Sequence, residues 1–558
     1  MTHNSDPVQA SYSQIAYIGT GLSAIALGAT LKRWYDMDDV HFFERHRDCG
    51  ETWHISSYPA EYKFCSRCGC DVPNALYIFS FALSSRWTKL MPSNKEIKSY
   101  HDNVVHQYGL RDKMTFSTEV QESVWREDAS RWFMKLRNVI TGEVTYHEAQ
   151  ILFAATEQLV EPKACDIPGA QSFNGSLFNS AKWDHSVNLE GKNVVVIGNV
   201  CTAAQIVPAI VERTKSLTQI VRSKHWVFPA PKSTYPRVLQ WVFTYVPLAM
   251  RLHRFHIFLI AEKDFRLFPM TKSAARLREK HRQKVEKYMR ETAPTKYHDT
   301  LIPDFDVGCK RRIFDGGYLK SLHNDKLNLT QKKITEILPD GINTTNGFYP
   351  ADVIVLATGF LTNTFLPYTQ IRGSEGTVTE HWDRYDGPGA YNCSAMSGFP
   401  NFFLSLGPNA ATGHTSALMA AENSVNYALR VLRPVLNGEA ASINLKQEAE
   451  DSYIYRVQET PRNRVWNAGC ASWYLNEKKW NAMAYPWTQA HFWWRSLFPT
   501  WSDWTSKLIQ KPGSRRVGLK FAMVWILAVG VAITTHSQSP LFWSTAWGRL
   551  LQVIGLSV

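Results

Sequence analysis

Hydrophobic positions fall into two kinds of segment that alternate along the chain. Short apolar or β-branched runs at 15–18, 41–44, 193–197, 217–221 and 353–356 read as strands. Residues 114–120, 131–136 and 150–154 join them by alternation or β-branched content. Between these runs, 22–35 carries apolar residues at helical spacing, and 226–300 reads as mostly helical. Strands and helices taking turns predict an α/β fold class built on parallel sheets. Residues 238–261 are largely apolar, but Arg251, His253 and Arg254 interrupt them. They read as a core helix pair, or as a surface that touches a bilayer, rather than as a span. The basic run 272–290 reads as the solvated face of a helix.

Two of the strands lead into glycine turns. Gly19-Thr20-Gly21-Leu22-Ser23-Ala24 lies between strand 15–18 and helix 22–35. Gly19 permits the tight turn, and Gly21 lets the backbone approach a pyrophosphate at the positive end of the helix. Ser23 and Ala24 open that helix, with Ala24 in place of a third glycine. Glu44 ends the next strand, where an acid can bind ribose hydroxyls. The second turn, Gly198-Asn199-Val200-Cys201-Thr202-Ala203, follows 193–197, and Thr202 and Gln205 open its helix. Arg222, just past 217–221, stands where a cation meets a 2′-phosphate, with Lys224 nearby. The expected architecture is two dinucleotide-binding (Rossmann-like) domains with a helical insertion, holding two cofactors that must meet.

Composition narrows the partners. With 44% hydrophobic and 20% charged residues, the 558-residue chain is that of a folded protein with several domain-sized units. A net charge of +13 without block-like basic runs points to anionic ligands or a membrane surface, and to no nucleic acid. Nine scattered cysteines show no disulfide framework, which fits a reducing compartment. Residues 517–535 are apolar apart from Lys520, and as a helix they would span about 28 Å, close to the hydrocarbon thickness. Lys511, Arg515 and Arg516 precede them. The expectation is a C-terminal transmembrane helix, hence a single-pass membrane anchor with a cytosolic catalytic part, the endoplasmic reticulum being a candidate membrane.

Further motifs lie outside the two turns: Gly50-Glu51-Thr52-Trp53, Tyr58-Pro59, Asp71-Val72-Pro73-Asn74-Ala75-Leu76-Tyr77 and Phe79-Ser80-Phe81. To these add Phe173, Gly175, Trp183 and Asp184, Lys310-Arg311, Ala357-Thr358-Gly359, and Gly407-Pro408-Asn409 with Gly413-His414. Together, over about residues 14–505, they resemble the flavin monooxygenases. The nearest branch is the Baeyer–Villiger-type FAD-binding monooxygenases of fungal secondary metabolism. The resemblance implies FAD at the first turn, with Thr52, Trp53, Asp71 and Tyr77 among its contacts. It implies NADPH at the second, with Gly198, Thr202, Gln205, Arg222 and Lys310. It also implies the chemistry: hydride passes from NADPH to FAD, O₂ is taken up, and oxygen is inserted beside a ketone carbonyl. Arg311 matches the family's active-site arginine, and Asp71 the carboxylate that positions it. A planar, always-charged guanidinium suits the anionic oxygen that develops. Read from local sequence alone, Arg311 could instead pair with Asp304, Asp306 or Asp315, and Asp71 could serve a turn before Pro73. The tail 470–474 matches a family segment near the substrate.

The chain departs from that pattern in places. Val200 replaces a glycine, and a β-branched side chain blocks close approach and disfavours positive φ. Asn179 replaces a histidine and cannot carry charge near neutral pH. Glu157 and Glu51 replace glycines, and 61–69 contains extra residues with Cys65, Cys68 and Cys70 nearby. The expected organisation is an FAD-binding part at 1–156, an NADP-binding domain at 157–352 with the insertion at about 226–300, a second FAD-binding part with substrate-side segment at 353–510, and a basic flank with the anchor at 511–558. The expected activity is Baeyer–Villiger oxygenation of an apolar, polyketide- or terpenoid-like ketone. The alternatives are hydroxylation, epoxidation or heteroatom oxygenation, and, in another class, a degenerate flavoprotein scaffold.

Overall fold

Strand β1 (Ala10–Ile18) sits inside the first sheet because Ile15, Ala16 and Tyr17 are all fully buried, so both faces of the strand are covered. Helix α1 (Leu22–Tyr35) follows, with the bounds its periodicity predicts. β2 (Val40–Phe43) pairs parallel to β1 on one side, and β3 (Met114–Thr115) continues beyond it. Between them in sequence, α2 (Asn94–Gln107) starts at a capping box formed by Ser93 and Glu96. The expected strand 114–120 is two strands, β3 and β4 (Thr118–Arg126), because Ser117 takes φ +53° between them. β5 (Arg131–Asn138) and β6 (Val144–Ala155) complete an antiparallel meander with β4. β6 then runs parallel to β1 along its whole length.

The second sheet is built from β7 (Ser176–Asn179), β8 (Asn193–Ile197), β9 (Ser216–Ile220), β12 (Leu327–Thr330) and β16 (Val353–Leu356), all parallel, in the order β12-β9-β8-β16-β7. Helix α3 (Cys201–Ile210) follows β8. Between β9 and β12 the short pair β10 (Val227–Pro229) and β11 (Ile313–Asp315) flanks the helical insertion. A hairpin of β13 (Ile334–Leu338), β14 (Gly341–Thr344) and β15 (Gly347–Pro350) precedes β16. Later strands return to the first sheet: β17 (Gln370–Arg372) joins β4, and β18 (Phe402–Ser405) joins β6.

A computed structural model of the chain describes residues 10–50, 53, 58–59, 69–155, 159, 161–231, 234–362, 364–470 and 474–509. Residues up to Lys507 form one unit, and the other, Leu508–Val558, lies almost wholly outside the described residues.

The insertion differs from expectation. Residues 238–261 form α4 (Arg237–Tyr245) and α5 (Ala249–Lys263), separated at Leu248, whose φ is +65°. This is not a core pair: α4 buries no residue and α5 buries Met250 and Ala261, while Trp241, Leu252 and Phe255 are exposed. Helix α6 (Lys272–Thr292) buries Ala274, Arg278, Val285 and Met289 and exposes its basic face. The expected membrane anchor is corrected as well. No helix of the described residues is long and apolar enough to cross a membrane: α6, the longest, is strongly polar, and the apolar stretch 238–261 is broken in two. The segment 517–535 lies outside the described residues. The fold class is therefore Rossmann-type α/β, and membrane anchoring and membrane localisation are withdrawn.

His101 on α2 is 1% exposed, packs beside Phe79 and Tyr100, and has no hydrogen-bond partner at either ring nitrogen among the described residues. Burial pushes its pKa down to about 3. The unfolded chain then binds a proton that the folded one refuses, between roughly pH 6.5 and 3. Stability is complete above that window and falls on acidification, by about 1.4 kcal/mol per pH unit from this group. His101→Leu should remove that part of the slope in urea titrations between pH 6.5 and 4. His147 and His225, both pushed down to about 4, contribute to the slope that remains. An unchanged slope in the variant would contradict the assignment.

Candidate active site

The two glycine turns are built alike. Gly19 (φ +104°) ends β1, and a Cβ there would meet Ala155 Cβ of the neighbouring β6 at 3.1 Å. Gly198 (φ +124°) ends β8, and a Cβ there would lie 2.3 Å from the carbonyl oxygen of Ala357, just past β16. At each turn the next strand is so close that only glycine fits. Gly21 (φ −72°, ψ −170°) and Val200 (φ −85°, ψ −171°) occupy the equivalent N-cap and share one conformation. Val200 is therefore not strained, contrary to the expectation from positive φ. Its 42% exposed side chain is the one real departure at the turn. No side chain caps α1 or α3, so both helix N-termini keep backbone N–H groups for an anion. That open pair of termini fits the pyrophosphates of two dinucleotides.

Residues around the first turn are mutually engaged. Glu44 is 2% exposed and accepts from Thr20 N and Oγ1 (both 3.0 Å) and from His46 N (2.9 Å), so its carboxylate braces the turn. Ser23 and Ala24 are buried at the start of α1. Trp53 Nε1 donates to Tyr77 Oη (3.0 Å), and Trp53 O accepts from Asn94 Nδ2 (2.7 Å). The insertion is fastened to the same loop: Tyr235 Oη bonds Asn74 Oδ1 (3.2 Å) and His253 Nε2 (2.9 Å). Thr52, Glu51, Glu157, Cys65 and Cys68 lie outside the described residues.

Arg311 and Asp71, 240 residues apart, meet in a bidentate pair. Nε donates to Oδ2 at 2.9 Å, and Nη2 to Oδ1 and Oδ2 at 2.7 Å. Two of the three nearer acids are used elsewhere, Asp306 by Arg278 and Asp315 by Tyr288, and the third, Asp304, acts on Lys310. Asp71, first among several influences, holds the Arg311 pKa above its usual value. The pair is half-buried, with side-chain exposures of 35% and 22%. The sulfur of Cys201, the first residue of α3, lies 4.0 Å from Asp71 Oδ2. Burial pushes that thiol up to about 12, so it is neutral at physiological pH.

Gln205 does something the sequence did not suggest. It lies buried in α3 and exchanges two hydrogen bonds with the backbone of Gly69, accepting from N at 3.1 Å and donating to O at 3.3 Å. Through this clamp α3 fixes the segment that carries Asp71, two residues on. Thr202 opens α3 half-buried.

Arg222 and Lys310 gather beside the second turn. Burial, and then the charge of Arg222, push the Lys310 pKa down, against the smaller opposing pull of Asp304. Lys310 Nζ reaches Lys224 O (3.4 Å), and Arg222 is exposed just past β9. The linker motif is structural in detail. A Cβ at Gly175 would lie 2.3 Å from Asp352 O, Trp183 packs edge-on to Phe178, and Asp184 accepts from Ser186 N (2.9 Å). Asn179 accepts from Ala181 N at 2.9 Å and so caps the short turn after β7.

An apolar wall adjoins the pair: Phe268, Val465, Trp466, Tyr474 and Met483. The charge of Arg311 acts on the buried Tyr474 hydroxyl, second to burial itself. In the same cluster Cys309 and Cys470 form a disulfide, which corrects the expectation of cysteines without pairing. The two lie 161 residues apart, and no spacing motif announces them.

The family described as flavin-binding monooxygenase-like matches residues 12–266. A Baeyer–Villiger monooxygenase of Streptomyces coelicolor is 30% identical over 492 residues, covering 86% of this chain and 90% of that protein. The FAD-binding monooxygenase tazF of Aspergillus terreus is 29% identical over 473 residues, covering 83% of this chain and 82% of that protein. A solved cyclohexanone monooxygenase of Rhodococcus sp. Phi1, bound to NADP+, has a similar fold, with a TM-score of 0.76 and 22% identity. The match covers 90% of this chain and 100% of that one. Two open helix termini, paired glycine turns and a carboxylate-held arginine thus accompany this kinship, and the chain belongs to the Baeyer–Villiger type of the flavin-binding monooxygenases, enzymes that use FAD and NADPH.

Proposed function

We propose that the chain inserts one atom of O₂ beside the carbonyl of an apolar ketone, of polyketide or terpenoid class, to give an ester or lactone in secondary metabolism. The observation that carries this reading is the bidentate Arg311–Asp71 pair set between the second turn and an apolar wall. The first turn and the strands of its sheet, 1–156 with 353–510, take FAD, and 157–352 takes NADPH. The strand β16, at the boundary, is shared in sequence with the second part but pairs in the second sheet.

FAD, reduced by NADPH, supplies the activation of O₂. The chain's own residues supply the rest. Arg222 and Lys310 would bind the 2′-phosphate, whose negative charge offsets the repulsion between them. Asp71 engages Nε and Nη2 of Arg311 and leaves Nη1 for the oxygen that becomes negative. Arg311 does not titrate in the working range, so its field is constant with pH. Cys201, neutral beside Asp71, adds no competing negative charge. Phe268, Trp466 and Tyr474 exclude water and favour an apolar ketone over a charged substrate.

Purified holoprotein, NADPH and isotope-labelled O₂ are mixed with a panel of apolar cyclic ketones. Labelled ester or lactone is the expected product. Labelled alcohol, epoxide or heteroatom oxide alone would overturn the reading.

Arg311→Ala should cut ester formation about 10²-fold or more, the scale seen when one stabilising donor is lost. Anaerobic bleaching of the flavin by NADPH should survive in it. Arg311→Lys should not restore the rate, since an ammonium cannot occupy the planar fork. A near-normal rate in either variant would contradict the role. Val200→Gly should lower the NADPH KM several-fold by clearing the approach to α3, with kcat little changed; an unchanged KM would mean the side chain does not limit approach.

A further inference from the structure

Helices α7 (Gln447–Glu459) and α8 (Gln489–Leu497) border a cleft of about 340 Å³. Small-molecule sites begin at about 300 Å³, so the cleft has room for a ligand. Neither the Arg311–Asp71 pair nor the apolar wall beside it contributes a residue to the lining. The lining combines flat aromatic faces with cations. Tyr453 on α7 and Trp487, shortly before α8, have ring centroids 6.3 Å apart, and Trp487 also packs on His491 at 5.0 Å. Arg456 comes from α7 and Arg495 from α8.

Arg495 is half-buried. A charge withdrawn from water ordinarily pairs with a carboxylate, and Arg254, Arg278, Arg311 and Arg312 each do so. Arg495 does not. Among the described residues its Nε donates to Asn392 Oδ1 (3.3 Å) and its Nη2 to Tyr391 Oη (3.4 Å), while Nη1 bonds no protein group. Asp503 is reached only through the Tyr391 hydroxyl, which donates to it at 2.5 Å. Arg456 is exposed and has no ion-pair partner among the described residues, since Glu459, the one acid in the described lining, is taken by Arg462 at 2.8 Å. Both arginines bear on the same space: burial first, and then the charges of Arg495 and Arg456, push the His491 pKa down. Two guanidiniums against one carboxylate leave a single net positive charge, the complement of a monoanion rather than of a phosphate dianion.

We propose that this cleft is a second ligand site, which takes a small aromatic monocarboxylate. The carboxylate accepts from the open Nη1 of Arg495 and meets Arg456 at the mouth. The ring of the ligand lies against Tyr453 and Trp487. The site stands apart from the reacting centre, and the inference does not rest on the reading of the reaction.

Isothermal calorimetry on FAD-loaded protein saturated with NADP+ tests it, with naphthoate as the probe. Naphthalenemethanol serves as its uncharged counterpart, and inorganic phosphate as an anion without a ring. Naphthoate should bind in a one-to-one ratio. The carbinol and phosphate should each bind at least about tenfold more weakly, the scale of one charge-assisted hydrogen bond. Arg495→Gln should raise the naphthoate Kd about tenfold or more. Arg456→Glu reverses a charge at an exposed side chain and should weaken binding as much; it decides the matter if Arg495→Gln does not fold. Arg311→Ala should bind naphthoate as the parent does. No naphthoate binding at millimolar concentration would overturn the proposal. So would a carbinol or phosphate that binds as tightly, a Kd indifferent to the variants of Arg456 and Arg495, or binding lost in Arg311→Ala.

Discussion

A guanidinium can steady a developing negative oxygen only if something else fixes its plane, and here that is a single carboxylate. Asp71 takes the Nε–Nη2 edge of Arg311 at 2.7–2.9 Å, so the pair has one arrangement instead of many. The two residues come from distant parts of the chain, and each is held from behind. Gln205 pins the backbone of Gly69 to α3. The disulfide and the strand β11 flank the short stretch that carries Arg311. Remove either support and the distance between the partners is set by loops alone.

The two turns explain why α3 can serve two ends at once. Its uncapped N-terminus is open to an anion, while Gln205 and Cys201 near the same end reach the Asp71 segment. A binding event at one is thus mechanically adjacent to the arginine at the other. The close approach of Gly198 to Ala357 and of Gly19 to Ala155 fixes where each helix starts. The small residues Ala155, ending β6, and Ala357, just past β16, are part of this geometry.

Much of this was legible in the sequence. Helix 22–35 and strand 193–197 have the predicted bounds, because their apolar periodicity coincides with burial. Both glycine turns were visible from residue type alone. The five residues that begin β1 were not, since that end of the strand is half exposed and polar. Nor was the length of β6, whose first half pairs with the polar, half-exposed start of β1 on one side and with the meander strand β5 on the other. The role of Val200 was misjudged because residue type does not reveal φ; an extended N-cap accepts a β-branched residue. Exposure of α4 and α5 was hidden for a similar reason, as apolar content does not say which neighbour covers it. The partner of Arg311 became legible only through resemblance, because local spacing offered three nearer acids. The disulfide gave no signal, since two cysteines 161 residues apart carry no motif.

The central claim is that Arg311 works as one unit with Asp71 rather than as a free charge. A double-mutant cycle on kcat/KM for ketone oxygenation tests it most directly, using Asp71→Asn, Arg311→Lys and the double variant. Coupled residues give strongly non-additive losses. The account predicts that the double variant is hardly worse than Arg311→Lys alone. Losses that simply add, with each variant acting independently, would contradict it.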